Sequence, residues 1–213
     1  MKIDIISDVA CPWCYVGKKN LEAAMAQRPD IDFEIQWFPY QLHPEAPAEG
    51  YAYQEVIEKK YGKARVDMMF QQLTQTGAAA GIQFKLEKIK RGANTLQAHR
   101  LLDLAWQQGV QNELAEVLFK AYFCDGLFVG DDAVLAKLAS EVGMDSREVS
   151  DYLASDAGSD LVQKQIAFAR QNGVTGVPSF SFDGVFAISG GQAVDVFVSM
   201  IDRIQDKSQA NAS

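Results

Sequence analysis

The sequence is poor in cysteine and histidine, and it has no long apolar run. Three cysteines and two histidines among 213 residues are too few for a disulfide scaffold or for several metal sites. The odd number of cysteines argues instead for reduced thiols that are used in chemistry. No apolar stretch approaches the roughly 20 residues that cross a bilayer, so we expect no membrane partner.

The sequence also has fewer basic than acidic residues. The chain has 20 Lys and Arg against 28 Asp and Glu, with a net charge of -8 and a pI near 4.8. This balance disfavours a nucleic-acid surface and favours proteins or small molecules as partners. The apolar stretch within residues 1–8 is too short, and the segment too charged, to serve as the apolar region of a secretory signal. We therefore expect a cytoplasmic protein.

The first fifty residues are predicted to form a strand, a helix and a second strand. The first strand covers residues 3–6, and a helix follows from Pro12, an early helical position that suits proline, to about residue 27. Apolar and polar side chains then alternate over residues 31–37, which indicates a strand with one buried face. A strand-helix-strand order predicts a parallel pair of strands.

The chain is predicted to be helical from about residue 53 to residue 172. Apolar residues recur there at helical spacing, and regularly placed glycines indicate several medium-length helices. Two short strands, residues 179–182 and 185–189, should follow around Asp183-Gly184, a dipeptide suited to a type I′ turn. A last helix is expected over residues 193–204, before a polar tail that we expect to be frayed.

The motif with the clearest chemical meaning is a pair of cysteines, Cys11 and Cys14, separated by Pro12 and Trp13. The pair follows a strand and opens a helix, where the helix dipole and unpaired N–H groups favour a thiolate on Cys11. Cys14, one turn later, can close on Cys11 as the resolving thiol. Pro12 and Trp13 stiffen the loop and shield Cys14, so we expect both at the substrate-binding surface.

Two other interpretations of the cysteine pair remain open. A structural zinc site needs four ligands, and only Cys124, His43 and His99 could complete one, without metal-site spacing. We therefore predict no metal site. A static structural disulfide is disfavoured in a reducing compartment.

A proline stands directly before the first strand of the predicted hairpin, in Val177-Pro178. A proline here removes a hydrogen-bond donor, so it occupies an edge position, a cis turn or the ordinary trans start of a strand. Together with the cysteine pair and the order of elements, it makes the chain resemble the DsbA-like thioredoxin-fold proteins. Further motifs narrow the resemblance to the FrnE and 2-hydroxychromene-2-carboxylate isomerase branch: Asp8, Tyr15-Val16-Gly17, Asn94-Thr95, Ala98–Leu101 and Ser189–Gln192.

The resemblance implies an α/β thioredoxin-like fold with a four-stranded mixed sheet and a large helical insertion. The thioredoxin-like domain would be discontinuous, made of residues 1–48 and 160–205, with the inserted helical domain at residues 49–159. In this family the proline matching Pro178 is cis and packs beside the nucleophilic thiol. The backbone of the preceding residue, here Val177, pairs with the substrate.

Two positions depart from the pattern of related proteins. Many thioredoxin-fold relatives carry an acidic residue six positions before the nucleophile, which helps to move the proton of the second thiol, whereas this chain has Ile5 there. Asp8 is a nearby carboxylate, but it is equally suited to a loop or to a helix N-cap. The usual DsbA motif has histidine where this chain has Trp13. An indole cannot stabilise a thiolate as a cation would, so we expect a less oxidising couple.

The remaining candidate residues are predicted to be structural. His43, before a proline, is expected in a loop and is assigned no role. His99 is expected to be a helix residue with satisfied hydrogen bonds, a part in binding glutathione being the alternative. Cys124 is expected to be a small buried hydrophobe, or a regulatory thiol if it is exposed.

These features lead to one main functional hypothesis and two rivals. The main hypothesis is a thiol-disulfide oxidoreductase that exchanges disulfides with protein or low-molecular-weight thiols through catalytic Cys11 and Cys14. No cofactor is predicted apart from glutathione as a candidate co-substrate. The first rival is a glutathione-dependent isomerase or transferase, although the isomerase branch carries serine at the position of Cys11. The second is a non-catalytic holdase that uses the helical region.

Overall fold

The computed structural model describes the backbone of residues 1–212 and the side chains of residues 1–207. A four-stranded mixed sheet with strand order β2-β1-β5-β6 lies at its centre, and a two-stranded sheet pairs β3 with β4. The strands are β1 (Lys2–Ser7), β2 (Glu34–Pro39), β3 (Tyr51–Ala52), β4 (Arg91–Gly92), β5 (Ser179–Phe182) and β6 (Phe186–Ser189).

Helices account for most of the remaining chain. A 3-10 turn at Leu86–Lys88 and a π-helical turn at Ala121–Asp125 interrupt their sequence. The helices are α1 (Pro12–Met25), α2 (Tyr53–Tyr61), α3 (Lys63–Ala79), α4 (Leu96–Gln107), α5 (Gln111–Lys120), α6 (Asp132–Ser140), α7 (Ser146–Ala154), α8 (Ser159–Gln171) and α9 (Val194–Ala212). None of the helices in the described part of the chain combines the length and apolar character that a bilayer crossing requires.

The central strand β1 organises the sheet. It pairs in parallel with β2 and antiparallel with β5, which confirms the predicted parallel pair and the mixed sheet. Along β1 the residues Ile3, Ile5 and Ser7 are buried while their neighbours are less so, because successive side chains of a strand point to opposite faces. The carboxyl end of β1 then runs directly into the segment that carries Cys11.

The second strand begins later than the alternation of residues 31–37 predicts. The pairing with β1 begins at Lys2 opposite Glu34, so residues 31–33 lie before the paired register. The amino group of Met1 instead donates to the Asp32 carbonyl oxygen at 2.7 Å. The alternation of apolar and polar residues therefore begins at residue 31, before the first residue of β2 that pairs with β1.

The β5–β6 hairpin forms with β5 at the predicted residues, while β6 starts one residue later than predicted because Val185 belongs to the turn. Asp183 and Gly184 both have positive φ angles, of 49° and 68°, which is the requirement of a type I′ turn. The following helix α9 starts as expected but continues through Ala212, so the prediction of a frayed tail is wrong over the described residues, and Ser213 lies outside them. Arg203 and Lys207 lie over the Phe186 ring, which holds the later turns of α9 against β6.

The small β3–β4 sheet was not predicted from the sequence. Tyr51 pairs with Gly92, and a β-carbon at Gly92 would lie 2.2 Å from the Tyr51 ring, so only glycine fits there. Two-residue strands are too short to produce a recognisable alternation. This sheet fixes the chain that enters α2 to the chain that leads toward α4.

One hydrophobic core joins the sheet to the helical region. Tyr15 of α1 stacks on Phe119 of α5 with ring centroids 5.3 Å apart, and Phe119 also meets Trp37 of β2 edge-on. Buried residues of both regions belong to the same cluster. The domain boundaries at residues 48 and 160 stay a prediction.

A partly buried cluster of charges fixes α1 to α5. Lys18 is only 3% exposed at its side chain, and its ammonium group contacts the carboxylates of Glu22 and, at 2.8 Å, Glu116. Glu116 also accepts a hydrogen bond from the Tyr15 hydroxyl at 2.8 Å. Burial alone would raise the pKa of Glu116, but the hydrogen bond and charge of Lys18 hold it below the ordinary value.

Replacing Glu116 with Gln should lower the free energy of unfolding by about 2 kcal/mol at neutral pH, because Lys18 then loses one of two partners in a poorly solvated position. Since the folded-state pKa of Glu116 is depressed, its contribution is present above the unfolded pKa and is lost as the pH falls through the folded one. Urea unfolding at several pH values measures this difference.

The matched control is Glu113→Gln, which changes an exposed glutamate of the same helix. Its stability should stay within about 0.5 kcal/mol of the wild type. Equal stability of the Glu116 variant and the control at neutral pH would contradict the proposed contribution of the cluster.

Candidate active site

Cys11 and Cys14 lie where β1 passes into α1. Cys11 is the N-cap residue of α1, Pro12 is its first helical residue, and no side chain caps this helix end. The Cys11 N–H donates to the Asp8 carbonyl oxygen at 2.9 Å, and the Cys14 N–H donates to the Cys11 carbonyl oxygen at 3.0 Å. The unpaired N–H groups at such a terminus favour negative charge, so the sulfur of Cys11 occupies a position suited to a thiolate.

The two cysteines are not equally accessible. Both are free thiols, but Cys11 is 4% exposed and Cys14 is 0% exposed. The two side chains lie close enough for the Cys11 sulfur to affect the pKa of the Cys14 thiol. A substrate sulfur can therefore reach Cys11 but not Cys14. Cys14 can react only with the Cys11 sulfur.

The surroundings of Cys14 favour its neutral form. Burial raises the pKa of the Cys14 thiol well above its ordinary value, and contact with the Cys11 sulfur raises it further. The Ser7 side chain and the backbone of Asp8 act in the opposite direction and lower this pKa. At neutral pH Cys14 is thus a thiol in the reduced protein.

Trp13 and Pro12 lie at the partly buried surface between the two cysteines. The segment after the hairpin packs closely against them, since a β-carbon on Gly191 would lie 2.9 Å from the Trp13 carbonyl oxygen. Asn20 of α1 reinforces this contact by donating to the Gln192 carbonyl oxygen at 2.7 Å. The sequence motif at residues 189–192 therefore borders the site.

The Val177–Pro178 peptide bond is cis, as the family resemblance implies. The Cys11 thiol donates a hydrogen bond to the Val177 carbonyl oxygen, with 3.5 Å between the two atoms. On the other side, Pro178 packs close to Gly17, where an added β-carbon would lie 3.3 Å from the proline ring. The structure thus places Val177 and Pro178 next to the nucleophile candidate although 166 residues separate Val177 from Cys11.

Asp8 fixes the turn before Cys11 and is not the N-cap of α1. Its two carboxylate oxygens accept from the backbone N–H groups of Ala10, at 3.1 Å, and Leu42, at 2.7 Å. His99 of α4 lies 3.6 Å from the same carboxylate. Because a carbonyl oxygen only accepts, the His99 Nε2 proton points to the Tyr40 carbonyl oxygen at 2.8 Å. His99 is therefore a helix residue whose Nε2 has a hydrogen-bond partner, as predicted.

The strand position expected for an acidic proton carrier holds Ile5, which is fully buried. The next residue on the same face is Ser7, also buried, and its hydroxyl has no hydrogen-bond partner by strict geometry among the described residues. Sequence reasoning missed Ser7. The available signal was the two-residue period of β1, which places Ser7 on the face that carries Ile5.

The other candidate residues lie outside the site. Cys124 is half-buried in the π-helical turn, and burial raises the pKa of its thiol. His43 is partly buried, with Nδ1 3.5 Å from a Glu45 carboxylate oxygen. Among the described residues, no group of three or more His, Cys, Asp or Glu side chains is arranged to hold a metal ion.

Comparisons with known proteins agree with this geometry. A probable DsbA oxidoreductase from Streptomyces coelicolor is 33% identical and superimposes with a TM-score of 0.88, over 95% of this chain and 89% of that one. A 2-hydroxychromene-2-carboxylate isomerase is 17% identical, with a TM-score of 0.75 over the full length of both chains. The cytosolic disulfide reductase DsbM from Pseudomonas aeruginosa, solved with glutathione, is 14% identical, with a TM-score of 0.70 over 97% and 100% of the chains.

The last two structures share the fold. The model of the DSBA-like thioredoxin domain matches residues 2–202, which is nearly the whole chain. Given this match, the strand order and the position of the cysteine pair beside a cis-proline, the protein belongs to the DSBA-like thioredoxin domain family.

Proposed function

We propose that the protein is a thiol-disulfide oxidoreductase that exchanges disulfides with protein or low-molecular-weight thiols through Cys11 and Cys14. The observation that carries the proposal is the unequal pair of thiols. Cys11 is the N-cap of α1 and is slightly exposed, whereas Cys14 is completely buried and lies close to it. Such an arrangement suits one attacking and one resolving sulfur.

The reaction proceeds in two exchanges. The Cys11 thiolate attacks one sulfur of a substrate disulfide, a Cys11–substrate disulfide forms, and the other substrate sulfur leaves as a thiolate. Cys14 then attacks the Cys11 sulfur, the bond from Cys11 to the substrate breaks, and the second substrate thiol leaves. The substrate gains two electrons and the cysteine pair becomes a disulfide, while the reverse sequence oxidises a substrate dithiol.

The substrate would bind along the cis-proline loop. Residues 172–179 and the start of the segment after β6 line an open cavity of about 470 Å³ that includes Val177 and Pro178. Thr175 and Gly176 are exposed there, so an extended peptide can approach the backbone. Pro178 offers no N–H that would compete for substrate carbonyl groups.

Glutathione is the proposed low-molecular-weight partner. DsbM, a cytosolic disulfide reductase that shares this fold, was solved with glutathione. The odd number of cysteines in the present chain suits a reducing compartment, and we propose the cytoplasm. Reduced glutathione would then return the oxidised pair to the dithiol state.

Replacing Cys11 with Ser should reduce turnover of an insulin-type disulfide substrate to background, because a hydroxyl cannot carry out the exchange. Cys14→Ser should instead accumulate a Cys11–substrate disulfide, which non-reducing gels and mass spectrometry detect. Cys124→Ser is the matched control and should keep wild-type turnover, since Cys124 lies outside the site. Full activity of the Cys11 variant would remove Cys11 from the mechanism.

The reduction potential of the pair should be more negative than the roughly -120 mV of a strongly oxidising DsbA. Trp13→His should shift it toward more oxidising values, because a cationic ring stabilises the Cys11 thiolate and therefore the reduced protein. Equilibration with glutathione buffers, followed by alkylation and mass analysis, measures both. Trp13→Phe controls for loss of the indole, and equal potentials for the His and Phe variants would contradict the argument.

The isomerase alternative makes a different prediction. Supplied with a chromene carboxylate and glutathione, the protein should isomerise the substrate no faster than glutathione alone, because Cys11 stands where the isomerase branch has serine. Absorbance spectra follow the reaction. Efficient isomerisation that survives Cys14→Ser would favour the isomerase and count against the oxidoreductase.

A further inference from the structure

A cavity lies on the face of the central sheet that is turned away from α1 and α9. Phe180 of β5 points to the opposite face, where its ring meets Phe197 of α9 edge-on. Successive side chains of a strand alternate between the two faces, so Ser179 and Ser181 of β5 line the cavity instead. Ile6 of β1 pairs with Ser179 and lines it as well. The cavity is therefore separate from the surface that the hairpin shares with α1 and α9.

Helix α8 forms the opposite wall of this cavity. Lys164, Gln165, Phe168 and Ala169 line it, and they lie on one face of the helix because the two pairs are one turn apart. The volume is about 440 Å³, within the roughly 300–1,000 Å³ range of ligand pockets. The cavity is thus large enough to accept a side chain of another molecule.

The exposed aromatic residue at the rim of the cavity is Phe168. It is 67% exposed, so most of its apolar surface is in contact with water. Ile6 and Phe38, which are neighbours across β1 and β2, supply apolar surface on the sheet side. Apolar surface that continues from an exposed residue into a cavity is typical of binding grooves. A large apolar side chain that enters here would bury Phe168 against it.

The charged groups of the cavity do not favour a charged occupant. Asp4 lines it, but the carboxylate of Asp4 lies 3.2 Å from the ammonium group of Lys2. Lys164, on the α8 wall, carries the opposite charge to Asp4. Charges of both signs are therefore present, and the apolar surface between them favours a neutral, apolar side chain.

The cavity is continuous with the proposed substrate site. Ser179 lines it and also lines the cavity of about 470 Å³ that includes Val177 and Pro178. The Val177 carbonyl oxygen is 3.5 Å from the Cys11 sulfur. Because a chain spans at most about 3.6 Å per residue, Ser179 lies within about 7 Å of Val177, and Ser181 within about 14 Å. An extended substrate covers the same span with about two to four residues.

We infer that this cavity binds a large apolar side chain of a peptide disulfide, about two to four residues from the reacting cysteine, and that Phe168 determines this specificity. The inference rests on the proposed disulfide exchange and adds a substrate class, which is peptides and proteins with an aromatic or large aliphatic residue near the cysteine. Glutathione has a single residue on each side of its cysteine and is too short to reach the cavity. The chemical steps stay the same, because Phe168 contacts the substrate away from the reacting sulfurs.

The test uses peptides whose one cysteine is a mixed disulfide with 5-thio-2-nitrobenzoate, in a Cys124→Ser background. The Cys11 thiolate attacks the peptide sulfur, the Cys11–peptide disulfide forms, and the nitrobenzoate leaves as a coloured thiolate. Each peptide carries phenylalanine two, three or four residues from the cysteine, on either side, or alanine in its place. At least one phenylalanine peptide should react at least about fivefold faster than its alanine counterpart, as partial burial of the ring allows.

Phe168→Ala should lower this ratio to less than about twofold, and the loss should fall on the phenylalanine peptides, because the rim of the cavity is gone. Leu161→Ala is the matched control and should keep the ratio, since Leu161 is an exposed apolar residue of the same helix, 47% exposed, that does not line the cavity. Ser181→Leu fills the cavity from the sheet and should lower the ratio as Phe168→Ala does. Thermal unfolding verifies that each variant is folded.

Three results would count against these expectations. An unchanged ratio in Phe168→Ala would overturn the inference, as would ratios near one for every spacing. A dimer that Phe168→Ala converts to a monomer with the ratio unchanged would assign the cavity to a second copy of the chain and overturn the inference as well. A reduced parent protein that releases no coloured thiolate from any peptide would instead refute the proposed exchange itself.

Discussion

The first turn of α1 is held from three sides, and the chemistry of the site depends on this confinement. The sheet supplies β1 and the Asp8 turn, the cis-proline loop contacts Cys11 through Val177, and the helical region binds α1 through Tyr15 and Lys18. Because all three attachments lie within two turns of one helix, the two sulfurs have little freedom to move apart. A mixed disulfide on Cys11 would therefore form with its resolving partner already in place.

The helical region packs on the thioredoxin-like sheet and also contacts the segments that carry the active site. Phe119 and Glu116 of α5 contact the side of α1 that faces away from the hairpin, while His99 of α4 stands beside the Asp8 turn. These contacts bury charged groups together with the aromatic core. Loosening the helices would consequently disturb the active-site turn as well as the stability of the chain, since both depend on the same residues.

Much of the fold was predictable because its signals are local. The short first strand, the Asp183-Gly184 turn and the cysteine pair before a helix each depend on neighbouring residues, and all appear in the structure. The start of β2 was predicted too early because strand ends depend on a distant partner. Ser7 was missed for a related reason, since a lone serine in a short strand belongs to no motif, and only the structure shows that its hydroxyl is buried without a partner.

Gly17 restricts how this site can be transferred to another protein. A β-carbon there would lie 2.9 Å from the Phe180 ring, nearer than side-chain carbons normally approach. Glycine in a helix interior costs about 1 kcal/mol relative to alanine, so the residue is retained at a local disadvantage. A designer who transplants the Cys11–Cys14 loop onto a new scaffold must carry this glycine too, because any larger residue would push the grafted helix away from its proline.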